Sequence, residues 1–184
     1  MFWFGNKNRK ALDHLRVNHP EEVGFSDEDL QKLPNVFRNL LTAQGSTLEA
    51  LEKYVRCPLK ATVSQGEKAS GILSRAVYLE TGDGEIVSLG LSTVNPRMLP
   101  EDARTALLEG KMPLGRLLEE YKVEHDRIIV EASTIRKYND NWASAHLLGD
   151  GPHYGRTYTI FHSKGPIFIA DVKEIFSNGL YFIV

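Results

Sequence analysis

Cysteine is all but missing from this sequence. Cys57 stands alone, so no internal disulfide can form, and a reducing, cytoplasmic setting is expected, with Cys57 as a small, partly buried hydrophobe. An excess of one charge is missing too. The 22 Lys and Arg residues nearly balance the 24 Asp and Glu, leaving a net −2, which gives no general attraction to nucleic acid or to an acidic membrane surface. No apolar run approaches the ~20 residues of a membrane span. The opening Met1-Phe2-Trp3-Phe4-Gly5-Asn6-Lys7 is too short, and ordered wrongly, for a secretory signal. Metal-binding spacing is also lacking: of His14, His19, His125, His146, His153 and His162, no two sit at i, i+4 on one expected helix. There is no phosphate loop, dinucleotide fingerprint or nucleophile elbow.

What is present has the proportions of an ordinary globular domain, 42% apolar and 25% charged residues. Residues 1–25 read as a polar, irregular or partly helical lead-in, and residues 26–184 as one domain. Ser26 with Asp29 three residues on is a helix-start signature. The apolar spacing of Leu30, Leu33, Val36, Phe37, Leu40 and Leu41 continues it, split into two short helices by Pro34. Thr47 to Val55 is a compact amphipathic helix, with Leu48, Leu51 and Val55 facing inward.

The period then changes to two. Residues 59–65 and 72–79 read as strands, and Asp83-Gly84 turns the second of these into a returning strand over 86–94. Glu101 to Leu108 is a short helix ended by Gly110. Lys111-Met112-Pro113-Leu114-Gly115-Arg116 follows, where Pro113 suits the first turn of a new helix whose unpaired N–H groups could receive a carboxylate. Residues 127–136 read as a strand, and residues 139–146 as a short helix or flap. Residues 156–161 and 166–172 read as a second hairpin, and the apolar tail 180–184 is expected against the core or a partner. Helices first, strands later and hairpin connections throughout give an α+β fold with an antiparallel sheet.

Charged residues inside apolar strands are the candidates for chemistry. Arg75 shares its strand face with Leu73 and Val77, a costly position for a guanidinium unless it meets an anion; a solvated face or a structural carboxylate partner would explain it equally well. Asp171 and Glu174, three apart on one strand, point to opposite faces, so at most one should share a cavity with Arg75. Arg156 opens its strand and reads as a surface or structural partner.

The stretches Leu40-Leu41-Thr42-Ala43-Gln44-Gly45-Ser46-Thr47-Leu48, Leu73-Ser74-Arg75-Ala76-Val77-Tyr78-Leu79, Met112-Pro113-Leu114-Gly115-Arg116, Arg156-Thr157-Tyr158, Gly165-Pro166-Ile167-Phe168-Ile169 and Glu174-Ile175-Phe176, in this order, resemble the chorismate lyase family. The resemblance covers roughly residues 33–176. It implies an antiparallel sheet with helices on one face and helical flaps over a buried ligand. It also implies a lyase that splits chorismate into 4-hydroxybenzoate and pyruvate without a cofactor, driven by aromatisation. On that resemblance Arg75 holds the ring carboxylate, Leu114 offers its main chain to the ligand, and Thr47 lines the pocket at a helix start. Glu174 is the expected catalytic carboxylate, Asp171, at a family spacing, is the alternative to it and an expected substrate contact, and Arg75 counts as catalytic as well as substrate-binding.

Chemistry agrees with this assignment. Chorismate is a dianion, an Arg fork suits a carboxylate, and a carboxyl group in a dry pocket is raised by desolvation and can carry a proton. A buried aromatic product should leave slowly and inhibit. A second reading is a non-catalytic module of the same fold that binds an aromatic or organic acid, as in the effector domains of certain transcription regulators. About 30 residues precede the matching region, too few for their DNA-binding helix-turn-helix. A third is a silent scaffold whose tail docks a partner. The expected partners are a small-molecule substrate, with no nucleic acid and no integral membrane segment, in a monomer or homodimer.

Overall fold

The computed structural model describes residues 22–67, 71–135 and 153–182. Seven antiparallel strands form its frame: β1 (Glu22–Gly24), β2 (Lys60–Glu67), β3 (Leu73–Glu80), β4 (Ile86–Val94), β5 (His125–Ile135), β6 (His153–His162) and β7 (Ile167–Phe176). They lie in the order β1-β5-β6-β7-β4-β3-β2. The helices are α1 (Asp27–Lys32), α2 (Asn35–Thr42), α3 (Thr47–Val55), α4 (Glu101–Glu109) and α5 (Leu114–Glu120), with 3-10 turns at Pro96–Met98 and Asn178–Phe182. The fold is α+β with an antiparallel sheet, as the order of helices and hairpins implies.

Local chemistry sets the helix ends. The Ser26 hydroxyl accepts from the Asp29 N–H at 3.2 Å, and the Asp29 carboxylate accepts from the Ser26 N–H at 3.1 Å, a reciprocal cap that starts α1. Pro34 ends that run and occupies the N-cap position of α2, because it cannot continue a helix in its own ring-locked geometry. Gly110 closes α4 at φ +68°, a left-handed conformation that costs little without a Cβ.

Two expectations change. Residues 22–24 are not irregular but form an edge strand on β5, with Val23 opposite Thr134; backbone pairing with a sheet edge outweighs their polar setting. The last hairpin is longer than the sequence suggests, because β7 runs on to Phe176. Glu174 therefore lies inside a strand, opposite Arg156 and Gly90. The expected flap at residues 139–146, most of the lead-in and the last two tail residues lie outside the described residues. Leu180 of the tail is fully buried.

The helices of the described chain pack on one face of the sheet, in two clusters. One joins Leu107, Leu114, Leu117 and Leu118 of α4 and α5 to Val94, Ile160, Ala170 and Val172. The other joins Val36, Phe37, Leu40 and Leu41 of α2, with Leu48 and Leu51 of α3, to Val77, Leu79 and Phe176. Each large side chain so buried contributes about 1.5–3 kcal/mol. Between the clusters the inner face of β4 carries Ser88, Gly90 and Ser92. Too little volume stands there to close the seam, and a cavity remains.

Candidate functional site

The cavity measures about 60 Å³. Its roof is the start of α3 (Ser46, Thr47, Leu48) and the start of α5 (Pro113, Leu114, Gly115, Arg116). Its floor is the small-residue run of β4, and Val77, Leu79, Arg127, Tyr158, Val172 and Glu174 make its walls.

Glu174 is held on three sides. Arg156 Nε donates to Oε2 at 2.8 Å. Thr47 Oγ1 and the Tyr158 hydroxyl both donate to Oε1, at 2.7 and 2.9 Å. Arg156 also reaches the α2–α3 connection: Nη2 donates to Thr47 Oγ1 at 3.0 Å and Nη1 to the Ala43 carbonyl. The side chain of Arg156 is fully buried and that of Glu174 is 10% exposed. An ion pair so desolvated is tolerated because further hydrogen bonds complete it. Burial, then the negative charge of Glu174, pushes the Tyr158 hydroxyl well above its usual range, so it stays a proton donor. The guanidinium carbons of Arg127 and Arg156 lie 4.6 and 5.1 Å from the centre of the Tyr158 ring, both within cation–π reach.

Arg75 is buried, 3% exposed. Its Nη2 donates to the Met112 carbonyl at 2.7 Å and its Nε to Gln65 Oε1 at 3.3 Å. Gln65 in turn donates to the Leu108 carbonyl at the end of α4, at 2.6 Å. Nη1 is buried with no partner, and among the described residues no carboxylate pairs with this guanidinium. Burial lowers its pKa to about 10, the mark of a cation short of an anion. Arg75 stands at the edge of the cavity rather than in its wall. Its neighbours Val77 and Ser92 line the cavity, as does Pro113 beside its acceptor Met112.

The structure thus brings Thr47, Leu114 and Glu174 to one cavity and sets Arg75 beside it. Asp171 is not brought there. It points from the opposite face of β7, where Thr159 Oγ1 donates to it at 2.7 Å and burial raises its carboxyl pKa. The alternation of strand faces separates it from Glu174. Nor does Glu174 stand alone in a dry pocket, since three protein donors surround it.

Of the two readings open for Arg156, surface residue or structural partner, the structure shows the second: it is the buried partner of Glu174. The signal was available, because Arg156 shares its strand face with Tyr154, Tyr158 and Ile160, the same argument that singled out Arg75. Tyr158, named in a family stretch but given no role, and Arg127 were missed as site residues. Among the described residues no group of three or more His, Cys, Asp and Glu side chains is placed to hold a metal ion, and no helix is long and apolar enough to cross a membrane.

Among curated proteins no match is found. Among solved structures, the effector domain of PhnF from Mycobacterium smegmatis is similar at a TM-score of 0.48 and 16% identity, over 74% of this chain and 90% of that one. PhnF from the same organism gives 0.49 and 14%, over 92% and 94%. A putative regulator from Escherichia coli CFT073 gives 0.42 and 12%, over 65% and 92%. Likeness at that level says nothing of what this chain binds. The family model described as "Chorismate pyruvate-lyase Rv2949c-like" matches residues 37–182, a span that contains every side chain of the cavity. The chain belongs to the Rv2949c-like chorismate pyruvate-lyase family.

Proposed function

We propose that this protein is a cofactor-independent lyase, acting in the cytoplasm, that eliminates pyruvate from chorismate to give 4-hydroxybenzoate. The observation that carries the reading is the pairing of an anion-hungry cation with a held carboxylate. Arg75, buried with an unpartnered Nη1, adjoins a cavity into whose wall Glu174 is fixed. A ring carboxylate at Arg75 would relieve an uncompensated buried charge. The main chain at Leu114, at the start of α5, offers a further donor.

The reaction then needs one proton moved and one bond broken. A proton leaves the ring carbon that carries the hydroxyl group. The electron pair of that C–H bond completes the aromatic ring, and the bond from the adjacent ring carbon to the enolpyruvyl oxygen breaks with its pair leaving on oxygen. The departing enolate takes up a proton on its methylene carbon and becomes pyruvate. Glu174 moves the proton, and its three donors fix the carboxylate so that little reorganisation is needed during the step. Thr47 and Tyr158 act as positioning residues for Glu174.

A dry cavity of about 150 Å³ accepts one benzene ring, so a space of about 60 Å³ must widen before a ring acid enters. The roof segments at Thr47 and Leu114 are the parts that can separate, because each meets the other across the cavity rather than through sheet pairing. Release of the aromatic product passes the same constriction, so product inhibition is expected.

The direct test is incubation of the purified protein with chorismate, following pyruvate and 4-hydroxybenzoate together. Equimolar formation of both supports the reading, and absence of both sinks it. Glu174→Gln should lower kcat about 10²–10⁴-fold while the protein remains folded. One observation favours the second reading, a non-catalytic binder of an aromatic or organic acid: every donor around Glu174 is already engaged with it. Saturable binding of 4-hydroxybenzoate without turnover of chorismate would establish that alternative.

A further inference from the structure

The cavity has a second cation whose hydrogen-bonding capacity is unspent. Arg127 projects from β5 into the cavity wall. Its Nη1 donates to the Gly45 carbonyl at 2.6 Å and its guanidinium carbon lies 4.6 Å from the Tyr158 ring centre. Its Nε is buried with no partner, and among the described residues no carboxylate pairs with it. A buried N–H left open bears its desolvation cost uncompensated, so a protein that keeps one beside a cavity gains when an acceptor arrives. Arg116, which also lines the cavity, is exposed and solvated and lacks that incentive.

The two unsatisfied guanidiniums flank one turn. Arg75 donates to the Met112 carbonyl at 2.7 Å. A Cβ on Gly115 would stand 3.9 Å from Arg127 Nη2. Met112 and Gly115 are three residues apart, at most about 11 Å along the chain. Arg75 rises from β3 and Arg127 from β5, on either side of the strands that carry Gly90, Glu174 and Tyr158. Glu174 therefore lies between two cations that each lack an anion.

We infer that Arg127 is a second carboxylate anchor, so that the site selects a ligand with one carboxylate at each end and holds the side-chain carboxylate that departs with the leaving group. This rests on the chorismate reading, in which Arg75 takes the ring carboxylate and the enolpyruvyl carboxylate remains without a partner. It adds that the substrate is distinguished from the product by charge number. 4-Hydroxybenzoate has one carboxylate and uses Arg75 alone, whereas chorismate has two and uses both.

The test compares wild type, Arg127→Gln, Arg127→Lys and, as an exposed control away from the cavity, Lys164→Gln. Each is measured for KM and kcat with chorismate and for direct binding of chorismate and of 4-hydroxybenzoate by calorimetry. Arg127→Gln should raise KM for chorismate about 10- to 100-fold, the loss of one charge-assisted pair, and should move 4-hydroxybenzoate binding less than about threefold. Arg127→Lys should recover part of the difference, and Lys164→Gln should leave it in place. Equal weakening of both ligands by Arg127→Gln would show Arg127 to be a brace for Tyr158 and Gly45, and the inference would fall while the lyase reading stood. Should wild type bind chorismate more tightly than 4-hydroxybenzoate in an Arg127-dependent way but form no pyruvate, the anchor stands and the lyase reading falls. Binding of neither acid overturns both.

Discussion

Arg75 and Arg156 stand on the same inner face of one sheet, and both are buried, but their surroundings differ. Arg156 is saturated: Glu174, Thr47 and Ala43 accept from its three nitrogens. Among the described residues Arg75 meets only neutral acceptors, Gln65 and a backbone carbonyl, and one nitrogen is left bare. The first arrangement spends a cation on holding a carboxylate and a roof segment in place. The second keeps a desolvated charge available. A buried guanidinium with no counter-ion is a poor structural element, so its persistence in the core is better explained by a ligand than by the empty fold.

The comparison can be broken most sharply at Arg156. Arg156→Met removes the partner of a buried carboxylate and should lower stability by about 3–5 kcal/mol, read by denaturant unfolding; a loss under about 1 kcal/mol would show that solvent already compensates Glu174. Arg75→Met should do the opposite to the empty protein, leaving the unfolding midpoint unchanged or raised, while turnover falls at least about 100-fold for the loss of a bidentate carboxylate contact. If instead this variant unfolds as readily as the Arg156 variant, Arg75 is a tie between Gln65 and Met112 and nothing more.

The sign of the Arg75 effect follows from its pKa. A base lowered from its usual value to about 10 loses its proton in the folded state above that pH, while the unfolded chain still holds it. Stability gained from this group therefore rises with pH only above about 10, and at neutral pH the buried charge is a net cost. A bound carboxylate should remove that cost. Thermal midpoints measured with 4-hydroxybenzoate should accordingly rise for wild type and stay fixed for Arg75→Met.

The smallest effect is expected at Asp171, on the other face of the sheet. Its carboxyl is raised by burial, against the opposing hydrogen bond from Thr159. The stability it contributes is present below the unfolded carboxyl value near 3.8 and is lost as pH rises through the folded one. Asp171→Asn should thus be more stable than wild type at neutral pH, with the difference closing as pH falls below about 4. Turnover should change less than about twofold. A large loss of activity would return Asp171 to the site and undo the assignment to Glu174.

Much of this was legible in the residues alone. The capped start at Ser26, the break at Pro34 and the helix from Thr47 to Val55 depend on neighbours within a few positions, and they formed as local chemistry requires. The period-two runs and the Asp83-Gly84 turn set the strands and their hairpins. The family islands that place Arg75, Leu114, Thr47 and Glu174 are also linear features. What stayed hidden was volume. In β4 the eye follows Leu89 and Leu91, yet these face away from the helices. The cavity exists because Ser88, Gly90 and Ser92 are small on the inner side, and smallness in a sequence does not announce which face it empties.

The chain order alone therefore determined the kinds of elements, most of their ends and which strand residues share a face, because caps, turns and alternation are settled within a few bonds. The tertiary structure alone decided which charges meet. Arg156 finds Glu174 across two strands, 18 positions apart, and Thr47 reaches the same carboxylate from 127 positions away. Among the described residues Arg75 finds no carboxylate. Whether a buried charge is satisfied or waiting depends on groups brought together by sheet register and helix packing, and no local spacing encodes that.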